Sequence, residues 1–415
     1  MRWSSSPRAV LVTGLAFALT ACSGSPSGSS GSTAASPAGN VIKIGIDFPM
    51  NGADAAVGVP SANGAILAVE QANAAGFAGG KYKLEAEVLD DTVQGKHDPA
   101  AGAQNAKTFA ADPSVLAMVG PYNSNVAKAQ IPITNDAGLA QISPANTNDG
   151  LTIGDAAKAL RSSHPDTIAY FRVCTRDSRQ GLALAKFARQ LGWKNVYVID
   201  DNETYGKGLA DVFDPSFGQL GGKVLGHDHI TANQQDFKAL LTKAHATHPD
   251  AIFYGGDVST GGALLRRQMA DVGMQSVPFM GGDGIGTSEF FKVAGPMADH
   301  TYYSLAAPDA AKLQTAAQFV AAYRKRFKAD IGAYSANAYT AAQIEIAAIA
   351  AAIKADNGAM PTRAAVLANV AATKDFPSAI GTISFDANGD TTAPILTLKQ
   401  VVGGKPITRA QLVLD

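Results

Sequence analysis

The sequence predicts an α/β protein built from two doubly wound lobes. From Val41 onward, short runs rich in β-branched residues alternate with longer alanine-rich stretches, and the alternation resumes after residue 165. Strands separated by crossover helices are typical of parallel sheets that are covered by helices on both faces. The chain has 415 residues, which is enough for two or three domains of roughly 150 residues each.

The predicted elements follow one another regularly in both halves. In the first half the predicted strands are 41–47, 81–89, 115–119, 140–143 and 169–173, and the helices are 60–75, 99–110 and 126–136. In the second half the strands are 195–199, 222–226, 251–254, 277–280 and 301–304, and the helices lie near 180–191, 207–220, 236–246, 260–272 and 288–294. The first helix is predicted to open at Pro60 and to stop at Gly76, because proline favours a first turn and glycine a helix end.

Two further helices, at 309–328 and 335–355, have no long strand partners near them in sequence. We therefore expect them to return to the first lobe and complete it. The 335–355 segment is rich in alanine and isoleucine, but it contains Glu345 and Lys354. A membrane span needs about 20 predominantly apolar residues, so this segment is predicted to be a buried core helix.

The charge balance excludes nucleic acid as an expected partner. Lys plus Arg total 34 and Asp plus Glu total 35, which gives a formal net charge of -1 and leaves no positive excess to neutralise phosphates. Charged residues are 17% and hydrophobic residues 46% of the chain. This composition is typical of a globular protein and not of a disordered one.

The N-terminus has the pattern of an export signal. Arg2 and Arg8 precede an apolar run at 10–21. As a helix this run would rise about 18 Å, which is too short to cross a hydrocarbon core of ~30 Å. Leu-Thr-Ala-Cys at its end resembles the lipobox of bacterial lipoproteins, which implies cleavage after residue 21 and a lipid on Cys22. An ordinary secretory signal with a chance cysteine is the alternative. Residues 23–40 have no charge and no large apolar side chain, so a flexible tether is predicted.

Candidate ligand-binding residues lie in the loops that follow predicted strands. In open α/β sheets, ligands bind beyond the carboxyl ends of the strands. Ser124 and Asn125 are favoured helix-capping types beside a positive helix end, which suits a carboxylate, although capping alone would explain them. The glycine pairs at 255–256 and 281–282 allow close backbone approach, and each precedes a carboxylate, Asp257 or Asp283, that can hold an ammonium group.

Six segments, taken in order, carry a more specific resemblance: GPYNSN, ISPANT, FRVCTRDSRQG, DDNETYGKGLA, IFYGGD and FMGGDGIG. Together they resemble the substrate-binding proteins of branched-chain amino-acid ABC transporters, the leucine/isoleucine/valine-binding family with the type I periplasmic binding protein fold. The resemblance covers about 41–400. It implies two doubly wound Rossmann-like lobes joined by a three-strand hinge that close over a small ligand. The expected domains are 41–174 with 305–380 for lobe 1, and 175–304 with 381–415 for lobe 2.

The resemblance also implies roles for individual residues. Ser124 and Thr147 would bind the α-carboxylate of an amino acid, and Asp283 would pair with its α-ammonium group. The remaining implied contacts are the backbone of Ala145, Asn146 and Thr147 for the ammonium, Tyr205 as a cover from the second lobe, Tyr122 as a wall of the side-chain pocket, and Asp177 as a residue that steadies the closed state.

Three positions depart from the family pattern. Asp257 stands where branched-chain binders have an aromatic residue, Val57 where a tryptophan can wall the pocket, and Asn123 where some members have a paired cysteine. A buried unpaired carboxylate costs several kcal/mol or takes up a proton. The expected ligand is therefore a branched-chain-type amino acid if Asp257 faces solvent or pairs with a lysine, and a polar or cationic amino acid or a related amine if it does not.

Other patterns favour no catalyst, metal or cofactor. His227 with His229, and His245 with His248, have no third ligand at recognisable spacing, so surface histidines are favoured over a metal site. No nucleophile elbow, zinc-protease motif or phosphate-binding loop occurs. The predicted function is a monomeric, membrane-anchored extracytoplasmic receptor that delivers an amino acid to an ABC permease and ATPase complex. A sensor of the same fold that signals to a partner protein is the alternative, and a hydrolase is the least favoured.

Overall fold

The computed structural model describes residues 39–231 and 233–414. The predicted signal peptide, Cys22 and nearly all of the predicted tether lie outside the described residues.

Strands and helices alternate along most of the chain. The strands are β1 Val41–Phe48, β2 Lys83–Asp90, β3 Thr92–Val93, β4 Lys96–His97, β5 Val115–Val119, β6 Ala140–Ser143, β7 Tyr170–Arg172, β8 Asn195–Asp200, β9 Lys223–His229, β10 Ala251–Gly255, β11 Phe279–Gly281, β12 Thr301–Leu305, β13 Phe376–Ser378, β14 Gly381–Ile383, β15 Ile395–Val402 and β16 Lys405–Val413. The α-helices are α1 Ala55–Ala74, α2 Pro99–Ala111, α3 Ser124–Asp136, α4 Gly154–Leu160, α5 Asp177–Gln190, α6 Thr204–Gln219, α7 Lys238–His245, α8 Gly262–Gln268, α9 Ser288–Ala294, α10 Ala317–Phe327, α11 Ser335–Ala355 and α12 Arg363–Ala371.

Two main sheets organise the molecule. The first has the order β2-β1-β5-β6-β7, and all its strand pairs are parallel. The second has the order β16-β15-β12-β11-β10-β8-β9. Strands β8 to β12 are parallel, and the terminal hairpin β15–β16 adds antiparallel strands. We call the first sheet with its helices lobe 1 (41–172 and 317–383) and the second lobe 2 (177–305 and 395–413).

Helices cover both faces of each sheet, which confirms the predicted α/β class. In lobe 1, Ile44 of β1 packs with the helices α1 and α11, while Phe109 of α2 packs on the opposite face. Gly45 permits this close approach, because a Cβ there would lie 2.9 Å from the Phe109 ring. In lobe 2, Ile252 faces α7 and α8, whereas its neighbour Phe253 faces α5 and α6. Alternating apolar residues on buried parallel strands thus serve two separate cores.

The helix predicted at 335–355 is observed as α11. By length and composition it could cross a membrane, but 67% of its apolar window is buried inside the protein. It packs on α1 and on strands β5 and β6 of lobe 1, as expected for a core helix that returns to complete that lobe. Burial raises the pKa of Glu345 well above its usual value, which favours the neutral acid inside this core.

Several boundaries differ from the prediction. The first helix begins at Ala55, and Pro60 lies inside it, because the backbone N–H groups of Val57 and Gly58 already donate to Asp54. The helices α4 and α12 and the hairpin β15–β16 were not predicted. The exposure of β16 alternates along its length, so only one of its faces is shielded, and its apolar pattern is correspondingly weak.

The chain crosses between the lobes three times, and the crossing segments lie side by side. The backbone N–H of Thr175 donates to Ala306 at 2.9 Å, and the Thr175 hydroxyl donates to the carbonyl of Ile395 at 2.8 Å. The hydroxyl of Thr397 donates to Ala307 at 2.8 Å. These bonds join the three segments into a hinge, the arrangement that the type I periplasmic binding fold implied.

Candidate functional site

A small cavity of about 10 Å³ lies between the two lobes. Lobe 1 contributes the loops after β5 and β6, and lobe 2 contributes the start of α6 and the loops after β10 and β11. The residues that line it are Tyr122, Asn123, Ser124, Ala145, Thr147, Tyr205, Asp257 and Asp283. All eight belong to the predicted set, and all are buried. The carboxyl ends of parallel strands therefore converge here, as expected for an α/β sheet.

The lobe 1 side of the cavity presents hydroxyl groups and a helix N-terminus. Ser124 is the first residue of α3, and Asn123 at its N-cap has an extended backbone with no side-chain capping bond. Asn125 instead caps locally, accepting from the backbone N–H of Val126 at 2.8 Å. The Thr147 hydroxyl is buried and lies close to the Asp177 carboxyl group, whose ionised form it stabilises. The Ser124 hydroxyl beside the positive end of a helix suits an anionic ligand group.

Asn146 was predicted to contact the ligand, but it does not line this cavity. Its side chain donates to the carbonyl of Tyr122 at 2.7 Å and accepts from the Tyr170 hydroxyl at 3.0 Å. Its carbonyl accepts from the buried Arg172 at 2.9 Å. Asn146 therefore holds the two lobe 1 loops together. Arg172, which the sequence reasoning missed, sits in an apolar strand and pairs with Asp390 at 2.5 Å.

Asp283 forms the most connected polar centre of the cavity. Its Oδ1 atom accepts from the amide of Gln180 at 2.7 Å and from the hydroxyl of Tyr205 at 3.0 Å. Its Oδ2 atom accepts from the hydroxyl of Tyr334 at 2.7 Å. Burial raises the pKa of Asp283, and these hydrogen bonds oppose that rise by stabilising the carboxylate. The backbone N–H of Asp283 also stabilises the carboxylate, which is therefore an ionisable acceptor held firmly at the cavity wall.

Asp257 is the second carboxylate of the cavity. It is 5% exposed, which excludes the alternative that it faces solvent. Its side-chain partner is the amide of Asn123 from lobe 1, at 3.1 Å, and no lysine is among the residues that line the cavity. Burial raises the pKa of Asp257 well above its usual value, and the nearby charge of Asp54 adds to that rise.

A histidine joins the lobes at the mouth of the cleft. Nδ1 of His97 lies 2.7 Å from Asp54 within lobe 1, and Nε2 lies 2.9 Å from Glu203 of lobe 2. Asn125 also donates to Glu203, at 2.6 Å. Burial lowers the pKa of His97, but the two carboxylates raise it well above its usual value. No sequence pattern indicates this contact, because the three groups come from separate segments.

Two further predicted positions lie near the cavity and do not line it. Asp177 begins α5, is buried, and donates its backbone N–H to the carbonyl of Thr147 at 2.8 Å. Burial raises the pKa of the Asp177 carboxyl well above its usual value. Val57 lies in α1 and lines a larger neighbouring cavity together with Tyr303 and Ala333.

Two α/β lobes, a three-segment hinge and a polar cavity enclosed between them define the class of two-lobed ligand-binding proteins. A model of the periplasmic binding protein family matches residues 41–405. Leu/Ile/Val-binding protein homolog 3 of Brucella melitensis biotype 1 is 31% identical over 366 residues, which are 88% of this chain and 92% of that protein. Leu/Ile/Val-binding protein BraC3 of Rhizobium johnstonii is 30% identical over 365 residues, 88% and 92% of the two chains.

Solved structures show the same similarity. Leucine-binding protein LivK of Thermotoga maritima superposes with a TM-score of 0.77 at 28% identity, covering 90% of this chain and 99% of that one. LivJ of Streptococcus pneumoniae, solved in complex with isoleucine, gives 0.75 at 29% identity with the same coverage. The chain belongs to the periplasmic binding protein family, among the substrate-binding proteins of branched-chain amino-acid ABC transporters. It is an extracytoplasmic solute-binding protein and not an enzyme, which confirms both predictions at this level.

Proposed function

We propose that the protein captures a single amino acid between its lobes, holds it by both ends of its backbone, and delivers it to an ABC permease. The observation that carries this proposal is the opposition, across one cavity, of a helix N-terminus with hydroxyl groups and a buried carboxylate. An amino acid is a zwitterion whose two charged groups match these two sides. The isoleucine bound by the Streptococcus relative supports the same ligand class.

In the proposed pose the α-carboxylate lies against Ser124 and Thr147, at the N-terminus of α3. The α-ammonium group faces the carboxylate of Asp283 and the carbonyl of Ala145. The carbonyls of Asn146 and Thr147 already accept from Arg172 and from a backbone N–H, which favours Ala145 as the backbone acceptor. Tyr205 covers the ligand from lobe 2, and its hydroxyl keeps Asp283 in place.

The ligand side chain is proposed to be polar or cationic. Asp257 and Asn123 line the cavity, whereas no arginine or lysine does. With an apolar ligand side chain, Asp257 would gain no partner beyond the amide of Asn123, and its raised pKa favours the neutral acid in that case. A side chain with an amide or ammonium group would instead donate to Asp257, so the proposed ligand differs in this respect from a purely aliphatic amino acid.

The remaining parts of the proposal concern the cell. We infer that Cys22 carries a lipid, that residues 23–40 tether the globule to the membrane, and that the monomer works with a permease and an ATPase. The two lobes are proposed to close about the hinge. Replacement of Cys22→Ser is expected to move the protein from the membrane fraction to the soluble fraction, and continued membrane retention would contradict the lipid anchor.

Calorimetric titration against all common amino acids tests the binding proposal. The protein must first be unfolded and refolded to remove any ligand carried through purification. Saturable binding of at least one amino acid, with polar or cationic side chains ahead of leucine, isoleucine and valine, is the expected result. Absence of binding to every amino acid would overturn the proposal, and a preference for aliphatic side chains would overturn only the role of Asp257.

A further inference from the structure

Two histidines of lobe 2 lie within hydrogen-bond distance of one carboxylate, which their spacing in the sequence did not indicate. His227 and His229 lie on β9, the edge strand of the second sheet, and Asp200 ends the neighbouring strand β8. In the parallel register, Val198 pairs with His227 and Asp200 pairs with His229. Because side chains alternate along a strand, both histidines and Asp200 project from the same face of the sheet.

The potential ligand atoms of these three residues converge. Nε2 of His227 lies 2.7 Å from Oδ2 of Asp200, and Nδ1 of His229 lies 2.7 Å from Oδ1 of the same carboxylate. One atom from each of the three residues lies within 4.8 Å of the others. We propose that His227, His229 and Asp200 form a binding site for a divalent transition-metal ion of the Zn²⁺ class. The site is separate from the amino-acid cavity and does not depend on the proposed function.

The ligand types and the spacing suit such an ion. Imidazole and carboxylate groups bind Zn²⁺ at about 2.0 to 2.2 Å, which places neighbouring ligands of a tetrahedron roughly 3.3 Å apart. The observed separations from Asp200 would therefore widen by about half an ångström when an ion enters. His229 is 47% exposed and His227 21%, so both rings have room for this adjustment, and solvent can supply the fourth ligand.

A fourth residue supports the orientation of His227. Asp214 of α6 lies 3.2 Å from Nδ1 of His227, on the side of the ring opposite Asp200. Histidines that bind a metal usually donate their other ring N–H to a carboxylate, which fixes the tautomer. Asp214 can accept the proton on Nδ1 and so leave the lone pair of Nε2 directed at the ion. His164, by contrast, has a single carboxylate partner, Asp136, at 3.2 Å.

Titration with Zn²⁺ in competition with a chromogenic chelator tests the site. The full chain is used without a polyhistidine tag. One saturable equivalent is expected, with His229→Ala weakening it at least tenfold and Asp214→Asn about tenfold, in the range typical of residues that support a metal ligand. His164→Ala is the matched control, because it removes an exposed histidine that also has a carboxylate partner, and it should bind Zn²⁺ within twofold of the wild type.

Two results would overturn the proposal: no saturable Zn²⁺ binding to the wild type, or unchanged affinity in His229→Ala. Thermal unfolding of each variant shows whether it is folded before it is titrated. Co²⁺ gives a second readout, since its visible absorption reports tetrahedral nitrogen and oxygen ligands directly. The Co²⁺ spectrum should be lost in His227→Ala and kept in His164→Ala, and its persistence in His227→Ala would place the ion elsewhere.

Discussion

Asp283 is expected to contribute much of the affinity for an amino acid, and Asp283→Asn isolates its charge. The change preserves the shape of the side chain. The amide oxygen can keep the hydrogen bonds from Gln180 and Tyr205, and the amide nitrogen then faces the Tyr334 hydroxyl, which can also accept. The fold should therefore tolerate the substitution. In the proposed pose, the substitution removes the negative charge that faces the ammonium group and places an N–H on that side of the residue.

The expected loss follows from these contacts. A hydrogen bond to a charged group contributes about 1.5 to 3 kcal/mol. At about 1.4 kcal/mol per tenfold change, Asp283→Asn should weaken amino-acid binding roughly 10- to 150-fold. The N–H that now opposes the ammonium group favours the upper part of this range. Asp283→Ala should also cost at least about tenfold, but it leaves Gln180 and Tyr334 without an acceptor and so perturbs the fold as well.

The assay is calorimetric titration of ligand-free protein with the tightest-binding amino acid of the panel. Asp211→Asn serves as the control, because Asp211 is an exposed carboxylate on α6 whose partner is Lys207. Thermal unfolding should show similar midpoints for the two variants. If Asp283→Asn binds within twofold of the wild type while remaining folded, Asp283 does not hold the ammonium group and the proposed pose is wrong.

Three other predictions concern the cavity and the His97 contact between the lobes. Ammonium binding requires an ionised Asp283, and burial raises the pKa of this group. Calorimetry at decreasing pH should therefore show that the affinity for the amino acid falls at a pH above the usual carboxyl range of about 4. Constant affinity down to that range would contradict the role of Asp283. The protonated His97 has a raised pKa, so it should stabilise the fold below about pH 6.5 and lose that contribution as pH rises through the raised value. The midpoint of thermal unfolding should therefore vary less with pH in His97→Gln than in the wild type. Parallel curves of midpoint against pH would refute a stabilising role for protonated His97. Asp257→Leu should shift the ligand preference at least tenfold towards leucine over polar amino acids, and an unchanged order in the titration panel would show that Asp257 does not contact the ligand.

The positions of the binding loops could be predicted because parallel strands impose them. Each β-rich run ends at the same edge of its sheet, so the polar residues just after it, such as Ser124, Thr147 and Asp283, had to collect there. The strand and helix alternation needed only local patterns. Element boundaries were less certain, and the position of Pro60 inside α1 shows how a hydrogen-bonded turn upstream can override a local signal.

The side-chain partners could not be predicted in the same way. Gln180 and Tyr334 reach Asp283 from segments more than 50 residues away along the chain. Gln180 lies in the segment FRVCTRDSRQG, but no local pattern indicates that either residue contacts Asp283. Asn146 matched its motif but turned towards Tyr122 and Arg172. Such contacts depend on rotamers and on the packing of distant elements, which a local pattern does not contain.

The sequence by itself determined the α/β class and the loops that meet between the lobes, because periodicity and strand ends are properties of contiguous residues. The kinship with amino-acid receptors was indicated by six ordered segments that resemble that family. Only the tertiary structure decided which polar groups share that space. It enclosed Asp257 with Asn123, joined His97 to Glu203 across the cleft, and brought Asp200 to two histidines on the next strand. These pairings arise from strand register and lobe packing, where residues far apart in the chain become neighbours.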